Sequence, residues 1–475
     1  MQSHAAHGRG DGCAGAAEMA GIARAAVRYL PVGLALFAIQ LDFFSLSLAL
    51  PTIATDLGVP VTDLQWLLSG YLLSLGASFV PAAKVGDTIG RRRALTIGLA
   101  VFGATSLVCA LAPDAPLLIV FRVLQGVGAA LVMPNAFALM GATTKPEQRA
   151  KIMGLMLGVA GAGTALGPVV GGVLASTAGW RWVFLINVPI AAVALIGALR
   201  LPESYGDGTR GRLRGLDWVG VLLVVGGLGL LSIGIDDISS LGPASPFTWG
   251  PLMVGAALLA AFVVHANRVE HPLVRPELLR DRPFVFLLAA GTVLNVGLNV
   301  SVFAATLELQ SVERLSPAAA GLVFMLASVG LAVGGPVAGW LTARFGAPRV
   351  LNGSLLLGSA SLALVAISPD LVVYVIALGV SGFCCGMGYA VSQIGVQALL
   401  PAEQAGEGSS LLLTFIVAVG GIAVVVAGAV VELISGAPAP TQGALTALLL
   451  GLAVLVLLTG LATLPSALRR KAAPS

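Results

Sequence analysis

Fourteen separate runs of roughly 20 mostly apolar residues occupy this chain of 475 residues. They lie near 30–50, 65–83, 94–112, 116–140, 152–175, 182–201, 217–235, 249–267, 284–309, 318–342, 350–367, 371–397, 409–434 and 443–464. A bilayer core about 30 Å thick needs about 20 such residues per helix. Barrel strands would be about ten residues of alternating polarity, and these runs are too long and too glycine-rich for that. Only 10% of residues are charged, against roughly 25% in a soluble domain. So few charges cannot cover a water-facing surface of this size. A large soluble enzyme and a disordered chain are both excluded. The expected fold is an all-α integral membrane protein with 14 transmembrane helices.

The positions of the cations test that count. Lys and Arg stay on the cytoplasmic side of short loops. With the N-terminus inside, 23 of the 26 Lys and Arg fall in cytoplasmic segments. Only Arg181 and Arg314 fall in outer loops, and Arg122 lies within a span. One miscounted early span would reverse every later loop and destroy this asymmetry. The reading is therefore a multi-pass protein of the cell (inner) membrane with both termini cytoplasmic. The net charge of +4 reads as topology. A nucleic-acid partner is not expected, because the cations are spread over seven segments.

Residues 1–29 lack the apolar core of a signal peptide and read as a disordered tail, with Met19 an alternative start. Cys13, Cys109, Cys384 and Cys385 give no disulfide framework, and the last two read as packing residues. Of the four His, His4 and His7 lie in the tail and His265 and His271 in one cytoplasmic loop. No metalloprotease helix, nucleophile elbow or phosphate-binding loop stands at a credible site. No enzyme activity, cofactor or metal is expected.

The loop after span 2 reads Ala83-Lys84-Val85-Gly86-Asp87-Thr88-Ile89-Gly90-Arg91-Arg92-Arg93. The loop after span 10 reads Gly339-Trp340-Leu341-Thr342-Ala343-Arg344-Phe345-Gly346-Ala347-Pro348-Arg349. Each is second in a block of six spans. The plan is thus a six-helix bundle at 30–201, a linker with two additional helices at 202–283, a second bundle at 284–464 and a tail at 465–475. Duplicated halves with a site between them are the usual plan of secondary transporters.

Five motifs then resemble the major facilitator superfamily, and more narrowly its fourteen-span drug:proton antiporters. Leu41-Asp42 through Ser47 to Leu50-Pro51-Thr52-Ile53 is similar to LDxxxxNxALPxI, with Ser47 at the Asn position. The first loop is similar to GxLxDxxGRR, with Ala83 replacing the leading Gly. Arg122-Val123-Leu124-Gln125-Gly126-Val127-Gly128 is similar to RxxQGxG. Gly163 to Gly172, with Gly167, Pro168 and Gly171, is similar to the motif associated with export. Trp180 to Pro189, with Asn187, is similar to the start of span 6. The resemblance implies a proton-coupled exporter of amphiphilic, cationic drugs or antibiotics, working by alternating access as a monomer. A dedicated exporter of one metabolite, or a sensor without flux, stays open.

Asp42 lies about 18 Å into span 1 at 1.5 Å per residue. A carboxylate there costs about 2.5–3.5 kcal/mol on insertion scales. Removal from water disfavours its charged form, which suits a group that trades a proton for a cation. Phe43 and Phe44 could hold a lipophilic cation beside it. Arg122 reads either as a snorkelling cation or, from the resemblance, as part of the proton step. Glu308, at the outer end of span 9, is either a second proton or cation site or a solvated acid. Asn295, Asn299, Thr306 and Gln310 share one face of span 9, and Glu308 falls off it. Asn295, Asn299 and Gln125 are expected to line the cavity. Glu432, Asp236 and Asp237 are expected to be solvated. Gly163, Gly167 and Gly171 form a flat stripe for close helix approach. Pro168 allows a bend, and Gly172 completes the motif. The stripe is read as a contact that lets the halves rock. Gly86 and Gly90 permit a tight turn, and Asp87 can bond Arg91 or Arg92. By resemblance this cluster latches the cytoplasmic gate.

Overall fold

The computed structural model describes residues 7–469 apart from 62, 207–216, 241, 243–244, 270–271, 273–276, 369, 401 and 437–439. Among them are fourteen helical spans long and apolar enough to cross a membrane, and no strand. Helix α1 runs His7–Leu57, α2 Trp66–Ile89, α3 Arg91–Leu111, α4 Ala115–Thr143 and α5 Pro146–Thr177. The sixth span is split into α6, Arg181–Leu185, and α7, Asn187–Ala198. Then come α8, Trp218–Ser240, and α9, Pro246–Ala266. The second block holds α10, Arg282–Leu307, α11, Pro317–Phe345, α12, Ala347–Ala366, α13, Leu371–Leu399, α14, Ala402–Ser435, and α15, Gln442–Arg469.

Several boundaries differ from the sequence reading: α2 stays helical to Ile89, so Gly86 lies inside a helix and only Gly90 makes the turn, α5 and α14 begin several residues earlier, and α1 and span 6 differ as well. Helix α1 starts at His7, inside the segment expected to lack structure, because its many alanines favour helix. Span 6 breaks between Ile186 and Asn187. Pro189 has no N–H to give the Leu185 carbonyl, so the helical ladder is interrupted there.

The two blocks repeat one packing plan. In the first, α1 packs on α5, α2 on α4, and α3 on both α4 and α7. In the second, α10 packs on α14, α11 on α13, and α12 on both α13 and α15. Position by position these are the same pairs. The loops repeat as well. Gly90 and Gly346 each precede a helix with positive φ, 112° and 83°, a conformation that side chains avoid. The inserted helices α8 and α9 pack on each other, and α8 also touches α2 and α14.

The halves meet along two seams, α5 against α11 and α2 against α14. We call the side bearing the Lys and Arg clusters the basic face and the other the far face. On the far face α5 and α11 touch: there is no room for a methyl on Gly172 beside the Pro317 carbonyl, and one on Gly321 would lie 2.5 Å from the Pro168 carbonyl. Toward the basic face they separate. The nearest atom to a methyl on Gly161 is Ala332 Cβ at 3.7 Å, and nothing lies within 4 Å of Gly158 or Gly154. The α2–α14 seam is close from Gln65 against Gly428 to Gly76 against Ala418. The halves are thus closed on the far face and parted along α5–α11 toward the basic face.

Candidate ion-coupling site

The charges that lipid would forbid find one another inside the N-terminal half. Arg122 donates from Nη1 to Asp42 Oδ2 at 2.6 Å, and neither side chain has any exposure. Asp42 Oδ1 accepts from Asn187 Nδ2 at 2.6 Å and Gln125 Nε2 at 3.2 Å. Gln125 is held in turn by Arg122 Nη1, which donates to its Oε1 at 2.6 Å, and by Ser106 Oγ, which accepts from its Nε2 at 2.7 Å. Arg122 Nε donates to the Leu67 carbonyl at 3.1 Å. Its guanidinium lies 4.3 Å from the Tyr71 ring centre and 5.7 Å from that of Phe184. Six helices, α1 to α4, α6 and α7, supply five hydrogen-bonding side chains, one carbonyl and two packing rings to this cluster. The break before Asn187 places that residue at the start of α7, where its side chain can turn to Asp42.

A buried ion pair recovers its desolvation cost only with good geometry and extra hydrogen bonds. Asp42 has three donors. Arg122 is less complete: its Nη2 has no hydrogen-bond partner, nor do Asn187 Oδ1 and the Tyr71 hydroxyl. Each of these three buried polar atoms carries a desolvation cost that no hydrogen bond offsets. Arg122 does not snorkel. Its side chain is buried among α2, α4 and α6.

The expected cavity residues divide. Gln125 is wholly buried within the Asp42 cluster, and Phe44 packs against Gly167. Phe43 is partly exposed, meets Phe44 edge-on at 5.1 Å and stacks on Tyr71 at 6.3 Å. Asn299 Nδ2 donates to Asn295 Oδ1 at 2.7 Å, and both face Gly420 of α14. Gln310, on the same helix face, donates to the Leu48 carbonyl of α1 at 3.0 Å. Glu308 points elsewhere, to Gln442 at the start of α15, at 2.7 Å. Asp236 is half-buried and accepts from Gln65 at 2.6 Å and Trp66 at 3.0 Å. It is not simply solvated, because α8 lies across the α2–α14 seam.

The glycine stripe lies inside one half and not between the halves. Gly163, Gly167 and Gly171 face Phe37, Phe44 and Ser45 of α1, in the same half. Small side chains there let α5 and α1 approach. The contact between halves is made one residue over, by Gly172 and Pro168 against α11.

On the basic face, Arg91 Nε donates to Asp87 Oδ1 at 2.9 Å. Gly86 lets Asn135 approach, and Asn135 Nδ2 donates to the Ala82 carbonyl at 3.0 Å. Arg92 bonds elsewhere. Its backbone N–H donates to Glu203 Oε1 at 2.8 Å, and its side chain donates to the Leu201 carbonyl at 3.1 Å. The Arg91 N–H donates to the Ser204 carbonyl at 2.9 Å, and the Gly206 N–H to the Asp87 carbonyl at 3.0 Å. A methyl on Gly90 would lie 2.6 Å from the Glu203 carboxyl carbon. The segment after α7 thus straps the turn. Glu203 was not singled out in the sequence, where it looks like an ordinary loop acid.

The sequence profile of the Major Facilitator Superfamily matches residues 32–310 and 284–474. The chain is 34% identical over 346 residues to the tetracenomycin C resistance and export protein of Streptomyces glaucescens, covering 70% of this chain and 62% of that protein's length. It is 31% identical over 389 residues to a multidrug resistance protein B homolog of Mycobacterium tuberculosis, covering 78% of this chain and 70% of that one. Among solved structures, the peptide transporter POT in complex with sulfate aligns with a TM-score of 0.70 at 17% identity, over 93% of this chain and 94% of that one. That likeness is one of fold.

Proposed function

Because the chain belongs to the Major Facilitator Superfamily, in which it is a membrane transporter and not an enzyme, we propose that it exports amphiphilic, cationic drugs or antibiotics in exchange for protons. The observation that carries this reading is the Asp42–Arg122 pair, buried without exposure and surrounded by unbonded polar atoms. A proton on Asp42 removes the charge that Arg122 neutralises, and Arg122 then needs another partner. Its nearest alternatives are Gln125 and the Tyr71 and Phe184 rings. Repacking here moves α1 against α4, and α5 lies on α1 through the glycine stripe. A proton is thereby converted into a shift of the α5–α11 seam.

In this reading the basic face is cytoplasmic and the membrane is the cell membrane. The conformation, closed on the far face, then receives substrate from the cytoplasm. Phe43, partly exposed beside the Asp42 cluster, is placed to meet an aromatic or cationic solute. A dedicated exporter of a single antibiotic is a second reading, favoured by the likeness to the tetracenomycin C resistance and export protein of Streptomyces glaucescens. The test is accumulation of ethidium, a lipophilic cation, by inverted membrane vesicles with an imposed pH gradient. Wild type accumulates it only while the gradient stands; accumulation without any gradient contradicts proton exchange. A panel of chemically unrelated antibiotics separates the broad reading from the dedicated one.

A further inference from the structure

Helix α7 packs on α1, α3 and α6 and belongs to neither seam between the halves. Its free side therefore turns toward lipid, and there it leaves a groove against α1. At the basic-face end this groove holds about 290 Å³. Val27, Leu30, Pro31 and Leu34 line it from α1, and Val193, Ile196 and Gly197 from α7, with Arg200 just beyond. A second depression of about 280 Å³ continues it past Leu34 and Val193 to Ile190 and Pro189. Gly197 has no room for a methyl against the Pro31 ring, so the two helices touch there. Val27, Val193 and Ile196 are each more than half exposed. Nothing in the described chain covers the groove.

Length and charge together say what covers it. Pro189 to Arg200 spans about 16 Å at 1.5 Å per residue. That is about half of a 30 Å hydrocarbon core, the depth of one leaflet. The slot thus matches one acyl chain lying along α7. Val193, Ile196, Gly197 and Arg200 are spaced three or four apart and share a helix face, which puts Arg200 at the mouth of the slot. Arg24 and Arg28 lie on the neighbouring turn of α1, and both are exposed. Among the described residues, the side chains of Arg24, Arg28 and Arg200 make no ion pair or hydrogen bond. Glu203, the next acid along the chain, is held by Arg92 and Arg93. An arginine at a helix end can extend into interfacial water. Three uncompensated guanidiniums beside an apolar slot one leaflet deep supply both parts of an anionic amphiphile's site. These charges repel a lipophilic cation, so the groove is no second site for one.

We propose that the α1–α7 groove binds an anionic phospholipid of the basic-face leaflet. One acyl chain lies between Leu34 and Val193, and the phosphate sits on Arg200, flanked by Arg24 and Arg28. Basic pockets between membrane helices are where anionic headgroups bind, and the planar guanidinium offers two donors to phosphate oxygens. The groove lies on the two helices that carry Asp42 and Asn187, whose side chains bond at 2.6 Å. A lipid that spans both helices holds that pair together. It binds the folded chain and not the unfolded one, so it raises the unfolding temperature. The inference stands whether or not the chain exchanges protons.

The test is photo-crosslinking in phosphatidylcholine nanodiscs that hold the full chain and a trace of phosphatidylglycerol with a diazirine in its acyl chain. Mapped peptides from wild type carry label within 27–34 and 190–197, in excess over the exposed α9 positions Met253 and Val254. Unlabelled phosphatidylglycerol competes severalfold better than phosphatidylethanolamine, and it alone raises the unfolding temperature. Arg200→Gln loses the excess and the temperature shift, while Arg200→Lys, which keeps the charge, retains more of both. Val193→Trp fills the slot, leaves Arg200 in place and also loses the excess. Circular dichroism of each variant identifies any loss of fold. Equal competition by the two lipids overturns the proposal, and so does an undiminished excess in Arg200→Gln. Displacement of the label by inorganic phosphate alone overturns it too, because the groove would then hold an ion and not a lipid.

Discussion

Asp42 and Arg122 stand 80 residues apart in sequence and 2.6 Å apart in the fold, with neither side chain reaching any surface. Everything else in the N-terminal cluster is arranged around that contact. Removing one partner of a buried pair leaves the other charge uncompensated, at a cost of about 3–5 kcal/mol. Asp42→Asn is therefore expected to lower the unfolding temperature as well as abolish proton-coupled transport. Asp42→Asn combined with Arg122→Gln is expected to recover most of the stability and none of the coupling. Thermal unfolding beside vesicle transport checks this, and recovery of both together contradicts it.

Asn187 supplies one of the three donors to the Asp42 carboxylate. A hydrogen bond to a charged group contributes about 1.5–3 kcal/mol. Asn187→Ala is expected to lose about that much stability and to slow proton-driven ethidium efflux, since the Asp42 cluster loses a donor. An unchanged rate at normal expression would show that Asn187 only packs.

Gly167 and Gly172 lie on the same helix and predict different failures. Gly167 meets Leu41 and Phe44 of its own half, so Gly167→Leu is expected to disturb the α1–α5 packing and reduce the amount of folded protein. Gly172 meets Pro317 and Ala318 of the other half. Gly172→Leu is expected to fold but to hold the far face open, with slow turnover. Thiol labelling of Ala318→Cys from the far side distinguishes them; equal labelling in Gly172→Leu and wild type contradicts this assignment.

Glu203 faces Arg92 and Arg93 at 3.6 Å and 3.9 Å and accepts the N–H at the start of α3. These partly exposed ion pairs contribute little on their own, about 0–1 kcal/mol each. The bond to the helix start holds the strap in place. Glu203→Gln, which keeps the acceptor, is expected to retain most turnover. Glu203→Ala is expected to slow it severalfold, with small effect on unfolding temperature. Equal rates for the two variants would count against the strap.

Much of this architecture is legible in hydropathy, because lipid demands a long apolar run for every span. The repeat was visible too, since Gly90 and Gly346 mark the same loop in both halves. The pairing of Asp42 with Arg122 was not. Each appears singly as a forbidden charge, and no local periodicity links helices α1 and α4. Asn187 stood in a quoted motif, yet its role depends on the break before it. Gln310 was placed on the Asn face of span 9, but its bond to Leu48 crosses between halves and leaves no trace in either local pattern. Glu203 and Asp236 looked like loop and helix-end acids. Tertiary neighbours, the strap and the inserted α8, give them partners.

The central claim is that proton movement and substrate movement share Asp42. The most direct measurement uses proteoliposomes that enclose a pH indicator under a pH gradient, with ethidium added to one side. The account predicts that ethidium accelerates collapse of the gradient through wild type and not through Asp42→Asn. Collapse at the wild-type rate in Asp42→Asn, or ethidium movement through wild type without proton movement, would contradict it.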